Sequence, residues 1–100
     1  MVYLIRNVRV TGDWEKMEAA ARGLKKCWAR QAQAKSVEMW GNIAGAQDEY
    51  RILVKFESLA DEEKFSLGLM NDKEYWNVMS QFMEVFTIVN DELVRTLDLD

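Results

Sequence analysis

Among its 100 residues the sequence has no histidine, no proline and a single cysteine, Cys27. Without histidine there can be no Ser-His-Asp or Cys-His nucleophilic arrangement, no histidine-held zinc or iron and no proximal-histidine haem. One cysteine closes no disulfide within the chain and builds no thiolate cluster, so no metal and no cofactor are expected. Cys27 lies at a core spacing on a predicted helix, which favours packing over a reactive thiol. A basic excess is also missing, since 13 Lys and Arg stand against 17 Asp and Glu for a net charge of −4. Phosphate binding needs a basic face, so nucleic acid is not an expected partner. Long apolar runs are missing too. "VFTIV" is far too short to span a bilayer, and "MVYLIRNVRV" is broken by arginine and lacks a signal-peptide pattern, so no membrane association is expected and a cytoplasmic location is.

What is present is a globular composition, 49% hydrophobic and 30% charged, expected to form one domain over residues 1–100. Four Trp, three Tyr and four Phe exceed what a small core must hold, which leaves apolar surface for a partner. Residues 2–10, "VYLIRNVRV", read as a strand. Asp13 can cap a following helix in which Trp14, Met17, Ala20, Ala21, Leu24, Cys27 and Trp28 recur at three- and four-residue steps. Its other side, Glu15, Lys16, Glu18, Arg22, Lys25 and Lys26, is a solvated face. "SVEMWGNIAG" and "DEYRILVKFES" read as a hairpin turning around Gly45, Ala46 and Gln47, with Val37, Met39, Gly41 and Ile43 on one side of its first strand. In its second strand Tyr50, Ile52, Val54 and Phe56 alternate with Arg51, Leu53, Lys55 and Glu57, so the first set should lie under helices.

Ser58 and Asn71 are the expected caps of two successive helical segments, with a bend between Gly68 and Asn71. The second segment, "KEYWNVMSQFMEVFTIV", reads as a helix apolar over most of its circumference, which implies burial on more than one side, by the sheet and by a second subunit. "DELVRTLDL" reads as the last strand. The order β-α-β-β-α-β is the ferredoxin-like arrangement, α+β, with a four-stranded antiparallel sheet and two helices on one face. Arg51, Leu53, Lys55 and Glu57 would line the bare face. Pairing two such faces would close an eight-stranded barrel in a homodimer.

A strand ending in "FESLAD", then a helix leading to "NDKEYWNVM", resembles the second half of NIPSNAP-like and antibiotic biosynthesis monooxygenase-like domains of the dimeric α+β barrel superfamily. The element order extends the resemblance over the whole chain; its motif-like part is residues 50–79. Haem-degrading members of that superfamily carry an Asn on the first strand together with a Trp and a His; this chain has Asn7 but no His, so the resemblance implies no haem. Cofactor-free, quinone-forming oxygenases are of similar length and need no metal, because the substrate supplies the electrons to oxygen. On that model Asn7 would hydrogen-bond an oxyanion and Arg9 stabilise it, with Trp40, Tyr3, Tyr50 and Phe56 as aromatic ligand contacts. Tyr3, Tyr50 and Phe56 also fit ordinary core positions, Arg9 a solvated strand end, and Trp40, beside Glu38 and Asn42, an interface as readily as a pocket wall. The expected function is binding of a small apolar or aromatic molecule between sheet and helices of a homodimer. The alternatives are a cofactor-independent monooxygenase or isomerase acting on an aromatic or polyketide-like substrate, and a non-catalytic oligomerisation domain using the helix at 72–89 and the sheet face.

Overall fold

The computed structural model describes residues 1–99. Strands β1 (Val2–Val10), β2 (Ser36–Gly41), β3 (Glu49–Phe56) and β4 (Phe86–Arg95) form one antiparallel sheet in the order β2-β3-β1-β4. Helices α1 (Met17–Ala29), α2 (Leu59–Met70) and α3 (Lys73–Phe82) complete the ferredoxin-like fold. None of these helices is long and apolar enough to cross a membrane.

Alternation decides which residues meet the helices. Val8 and Val10 of β1 and Ile52, Val54 and Phe56 of β3 are buried against Leu24, Cys27 and Trp28 of α1, Phe65 and Leu69 of α2, and Tyr75, Met79 and Phe82 of α3. Each large apolar side chain so buried contributes about 1.5–3 kcal/mol, which makes this face the main source of stability. Aromatic edges interlock at its centre, with ring centroids 5.0 Å apart for Phe56 and Phe65 and 5.8 Å for Trp28 and Phe65.

The caps at Asp13 and Ser58 form as expected, Asp13 accepting from the Glu15 N–H and Ser58 from the Asp61 N–H. Four expectations differ from the structure. Trp14 lies in a single 3-10 turn, Trp14–Lys16, and is exposed, outside the apolar stripe of α1. β2 stops at Gly41, and Ile43 sits fully exposed in the hairpin loop, where Gly45 takes the left-handed conformation with φ 90°. The cap of α3 is Asp72, one residue beyond Asn71, because its carboxylate reaches the Glu74 and Tyr75 N–H groups. The largest difference is the helix expected to run to residue 89. It ends at Phe82, and Phe86 to Val89 belong to β4. Four of the five residues of "VFTIV" are β-branched, which favours a pleated conformation, and the apparent all-round apolarity was the sum of a helix face and a strand face.

β4 contains a bulge. Asn7 is opposite Asn90 but Val8 is opposite Ile88, so Val89 is an extra residue. Phe86 and Ile88 share the helix side with Val10 and Val8; after the bulge that side passes to Asp91, opposite Arg6.

At the other end of the sheet, Gly12 packs its backbone on the turn before β4. Its N–H donates to the Val85 carbonyl at 3.0 Å, and a Cβ there would collide with the Glu84 carbonyl oxygen. Gly12→Ala is expected to lower unfolding free energy by about 1–3 kcal/mol, as an overpacked site does. Gly45→Asn, at an open left-handed position, is expected to change it by less than about 0.5 kcal/mol. Urea denaturation of the two variants checks both.

Candidate functional site

The six residues singled out in the sequence fall on two faces of the sheet. Tyr3, Asn7 and Arg9 are on the bare side of β1, and Trp40 is on the same side of β2. Tyr3 and Trp40 help line an apolar groove of about 510 Å³ with Ile5, Leu53 and Val94. Asn7 and Arg9 border a separate, polar depression on that face. Asn7 Nδ2 is already engaged, donating to Asn90 Oδ1 at 2.7 Å and Glu92 Oε1 at 2.6 Å, and Trp40 Nε1 donates to Glu38 Oε2 at 2.9 Å. Tyr50 and Phe56 lie on the opposite, helix-covered face. Phe56 is wholly buried in the core, while Tyr50 lines an open cleft of about 740 Å³ between α1 and the β2–β3 end of the sheet. The cleft's charges, on Glu18, Arg22, Lys25 and Lys26, are on the exposed side of α1, and Arg22 pairs with Glu18 of the same helix. The six therefore do not converge on one pocket.

A different cluster does. Between the sheet and helices α2 and α3 lies a cavity of about 360 Å³ whose lining includes Arg6, Trp28, Glu62, Phe65, Tyr75, Trp76 and Asp91. Arg6 is the unusual member. It comes from the helix-facing set of β1, between Leu4 and Val8, and its side chain is only 11% exposed. Its guanidinium forms a bidentate pair with Asp91, Nε to Oδ1 at 2.9 Å and Nη2 to Oδ2 at 3.0 Å. Its carbon lies 4.9 Å from the centroid of the Trp28 ring, a cation–π contact. The remaining terminal nitrogen, Nη1, donates to the soft Met79 sulfur at 3.6 Å and reaches no carboxylate among the described residues. Burial alone would lower the Arg6 pKa; the hydrogen bond to Asp91, with Tyr75 adding to it, more than offsets this and leaves it raised. Arg6 is thus a permanent cation in a largely apolar enclosure.

Neighbouring contacts hold the walls. Arg30 Nη1 donates to Glu74 Oε2 at 2.8 Å, tying the end of α1 to the first turn of α3, and Trp76 Nε1 donates to the Met70 carbonyl at 3.0 Å, joining α3 to the end of α2. Trp28 Nε1 is buried and finds no acceptor among the described residues. Cys27, next to it, is buried and free, and burial pushes its thiol pKa up despite the opposing influence of Arg30. Among the described residues no three acidic or cysteine side chains gather as metal ligands would.

Sequence reasoning passed over Arg6, Trp28, Tyr75 and Asp91. A signal was available for the first: a charge within the apolar alternation Leu4, Arg6, Val8, Val10 needs a buried partner. None was available for Asp91, whose orientation depends on the bulge at Val89.

No family model matches the sequence and no curated protein matches it significantly. Solved structures do match in shape. SnoaB, a cofactor-independent oxygenase from Streptomyces nogalater, superposes with a TM-score of 0.78 over 98% of this chain and 94% of that one, at 10% identity. A candidate antibiotic biosynthesis monooxygenase from Bordetella bronchiseptica gives 0.74 over 96% of both chains at 15% identity. Rv0793 from Mycobacterium tuberculosis gives 0.69 over 99% of this chain and 98% of that one at 10% identity. At these identities the likeness is one of fold.

Two outcomes follow from the cluster. Asp91→Asn leaves the enclosed Arg6 without its counter-charge and is expected to destabilise by about 1–3 kcal/mol, toward the lower end because Asp91 is 41% exposed; thermal and urea unfolding measure it. Cys27 should resist a thiol reagent such as DTNB at pH 8 in the native protein and react fully in guanidinium, since the barrier is burial.

Proposed function

Since the chain has the fold of the dimeric α+β barrel proteins, with antibiotic biosynthesis monooxygenase-like proteins among its structural neighbours, we propose that it binds a small apolar or aromatic molecule in the cavity beneath α2 and α3, as a homodimer. The observation that carries the binding site is the nearly buried Arg6 guanidinium inside an aromatic-walled cavity of about 360 Å³. That volume is within the range of small-ligand sites, and a few polar groups on apolar walls are their usual composition.

The bare sheet face supports the dimer. Trp40 is 51% and Val94 39% exposed, and with Tyr3, Ile5 and Leu53 they make an apolar groove on a surface that no helix covers. In a face-to-face pair Tyr3 and Trp40 serve the contact between subunits, and Asn7 and Arg9 contribute polar groups to the barrel interior.

A second reading, cofactor-independent oxygenation or proton-transfer isomerisation, is supported by the fold shared with an oxygenase of that kind and by Arg6 Nη1, which lacks a strong acceptor. A substrate oxygen that gains negative charge as its proton leaves would accept from Nη1 beside the apolar walls of the cavity. Electrons for oxygen would come from the deprotonated substrate itself.

Three measurements test these readings. Native mass spectrometry of the gently purified protein is expected to show a dimer retaining a small molecule; a ligand-free monomer would refute both parts. Leu53→Arg, at the middle of the bare face, is expected to convert the dimer to a folded monomer in analytical ultracentrifugation. For the second reading, oxygen uptake with hydroquinone-type substrates should persist in excess EDTA and fall by about 10²-fold or more in Arg6→Met. The absence of uptake over a broad panel removes the oxygenase reading and leaves binding intact.

A further inference from the structure

The charges around the cavity are not balanced. Arg6 is its one cationic lining residue, and both Asp91 oxygens are committed to it. A second carboxylate, Glu62 of α2, lines the same cavity. One of its oxygens, Oε1, accepts from the Ser66 hydroxyl at 2.8 Å, one turn later on the helix, which fixes the carboxylate's orientation without neutralising it. Among the described residues Glu62 makes no ion pair. The partly buried charge therefore has an oxygen available in a cavity that Phe65, Tyr75 and Trp76 also line. Glu62 stands in the first turn of α2, where the helix dipole favours a carboxylate but supplies no cation to pair with it. Aromatic faces together with such a carboxylate attract an alkylammonium group, and the cavity already holds one cation on an indole, the Arg6 guanidinium over Trp28.

We propose that the molecule bound here carries a positive charge: a primary ammonium on a compact aromatic or apolar body, with the nitrogen donating to Glu62 and the body packed against Phe65, Tyr75 and Trp76. The inference rests on the reading of this cavity as the binding site. It adds the ligand's charge, which the shape of the cavity leaves open. An anionic ligand of the same size would meet Glu62 with only Arg6 Nη1 left to oppose it, because Asp91 already occupies Nε and Nη2. A neutral ligand would leave Glu62 with water as its only other partner.

Isothermal titration calorimetry with three probes of nearly equal size separates the cases: phenethylamine, 2-phenylethanol and phenylacetate. The expected result is that phenethylamine binds at least about tenfold more tightly than the other two, ~1.4 kcal/mol. Glu62→Gln, which keeps the Ser66 hydrogen bond and the side-chain volume, should abolish that preference. Glu63→Gln, an exposed neighbour with the same change in net charge, should retain it. Equal binding of the three probes, tighter binding of phenylacetate, or loss of the preference in both variants overturns the charge assignment and leaves the cavity as an apolar site. Failure of all three probes to bind at millimolar concentration overturns the site as well.

Discussion

A β-strand sends successive side chains to opposite faces, and the organisation of this protein depends on that parity being kept on three strands and broken once on the fourth. On β1 and β3 the apolar residues stay in register long enough to build a complete inner face, from Val8 and Val10 to Ile52, Val54 and Phe56. On β4 the same parity, continued without interruption, would send Asp91 to the bare side with Thr87 and Val89. The bulge at Val89 reverses it, so that Asp91 faces Arg6 and a guanidinium becomes tolerable inside the enclosure. Site and core are therefore joined: the residue that charges the cavity is sustained by a local irregularity of the sheet that roofs the hydrophobic interior.

The parts of the fold that could be read in the sequence are those governed by local rules. Alternation in "YRILVKF", the 3.6-residue stripe of Leu24, Cys27 and Trp28, and the side-chain caps at Asp13 and Ser58 need only neighbours along the chain. The end of α3 could not be read the same way. Helix and strand are separated there by the three residues Met83, Glu84 and Val85, with no glycine or proline to mark the change, so two apolar patterns ran together. The site was less legible still. Arg6 and Asp91 are 85 residues apart and meet only because β1 and β4 are neighbours in the sheet. The six residues chosen for their chemistry are all on strands, but the two faces of those strands divide them between core, cleft and bare surface.

The two surfaces of the sheet carry different physical obligations. The inner face is mostly apolar and interlocked, and its most buried charge, Arg6, is held by the Asp91 carboxylate and the Trp28 ring. The outer face mixes Tyr3, Ile5, Trp40 and Leu53 with Arg51, Lys55, Glu38 and Glu92, a composition common at the margins of protein contacts, where apolar area and charge lie side by side. The lining of the cavity and the composition of the outer face can therefore vary independently in this architecture. Residues that shape the cavity come mostly from helices, and those that shape the outer face only from strands.

The placement of β1 in the interior of the sheet, between β3 and β4, has a consequence for biosynthesis. The first strand of this sheet to be synthesised has its two neighbours at residues 49–56 and 86–95, so its edges stay unpaired until those segments have been made. Local helices can form earlier, but the sheet acquires its final edge only when β4 has left the exit tunnel. Until then Val8, Val10 and the Arg6 guanidinium lack their covering, and the nascent chain is exposed to holdase chaperones and to pairing with other unfinished copies through the free sides of β1.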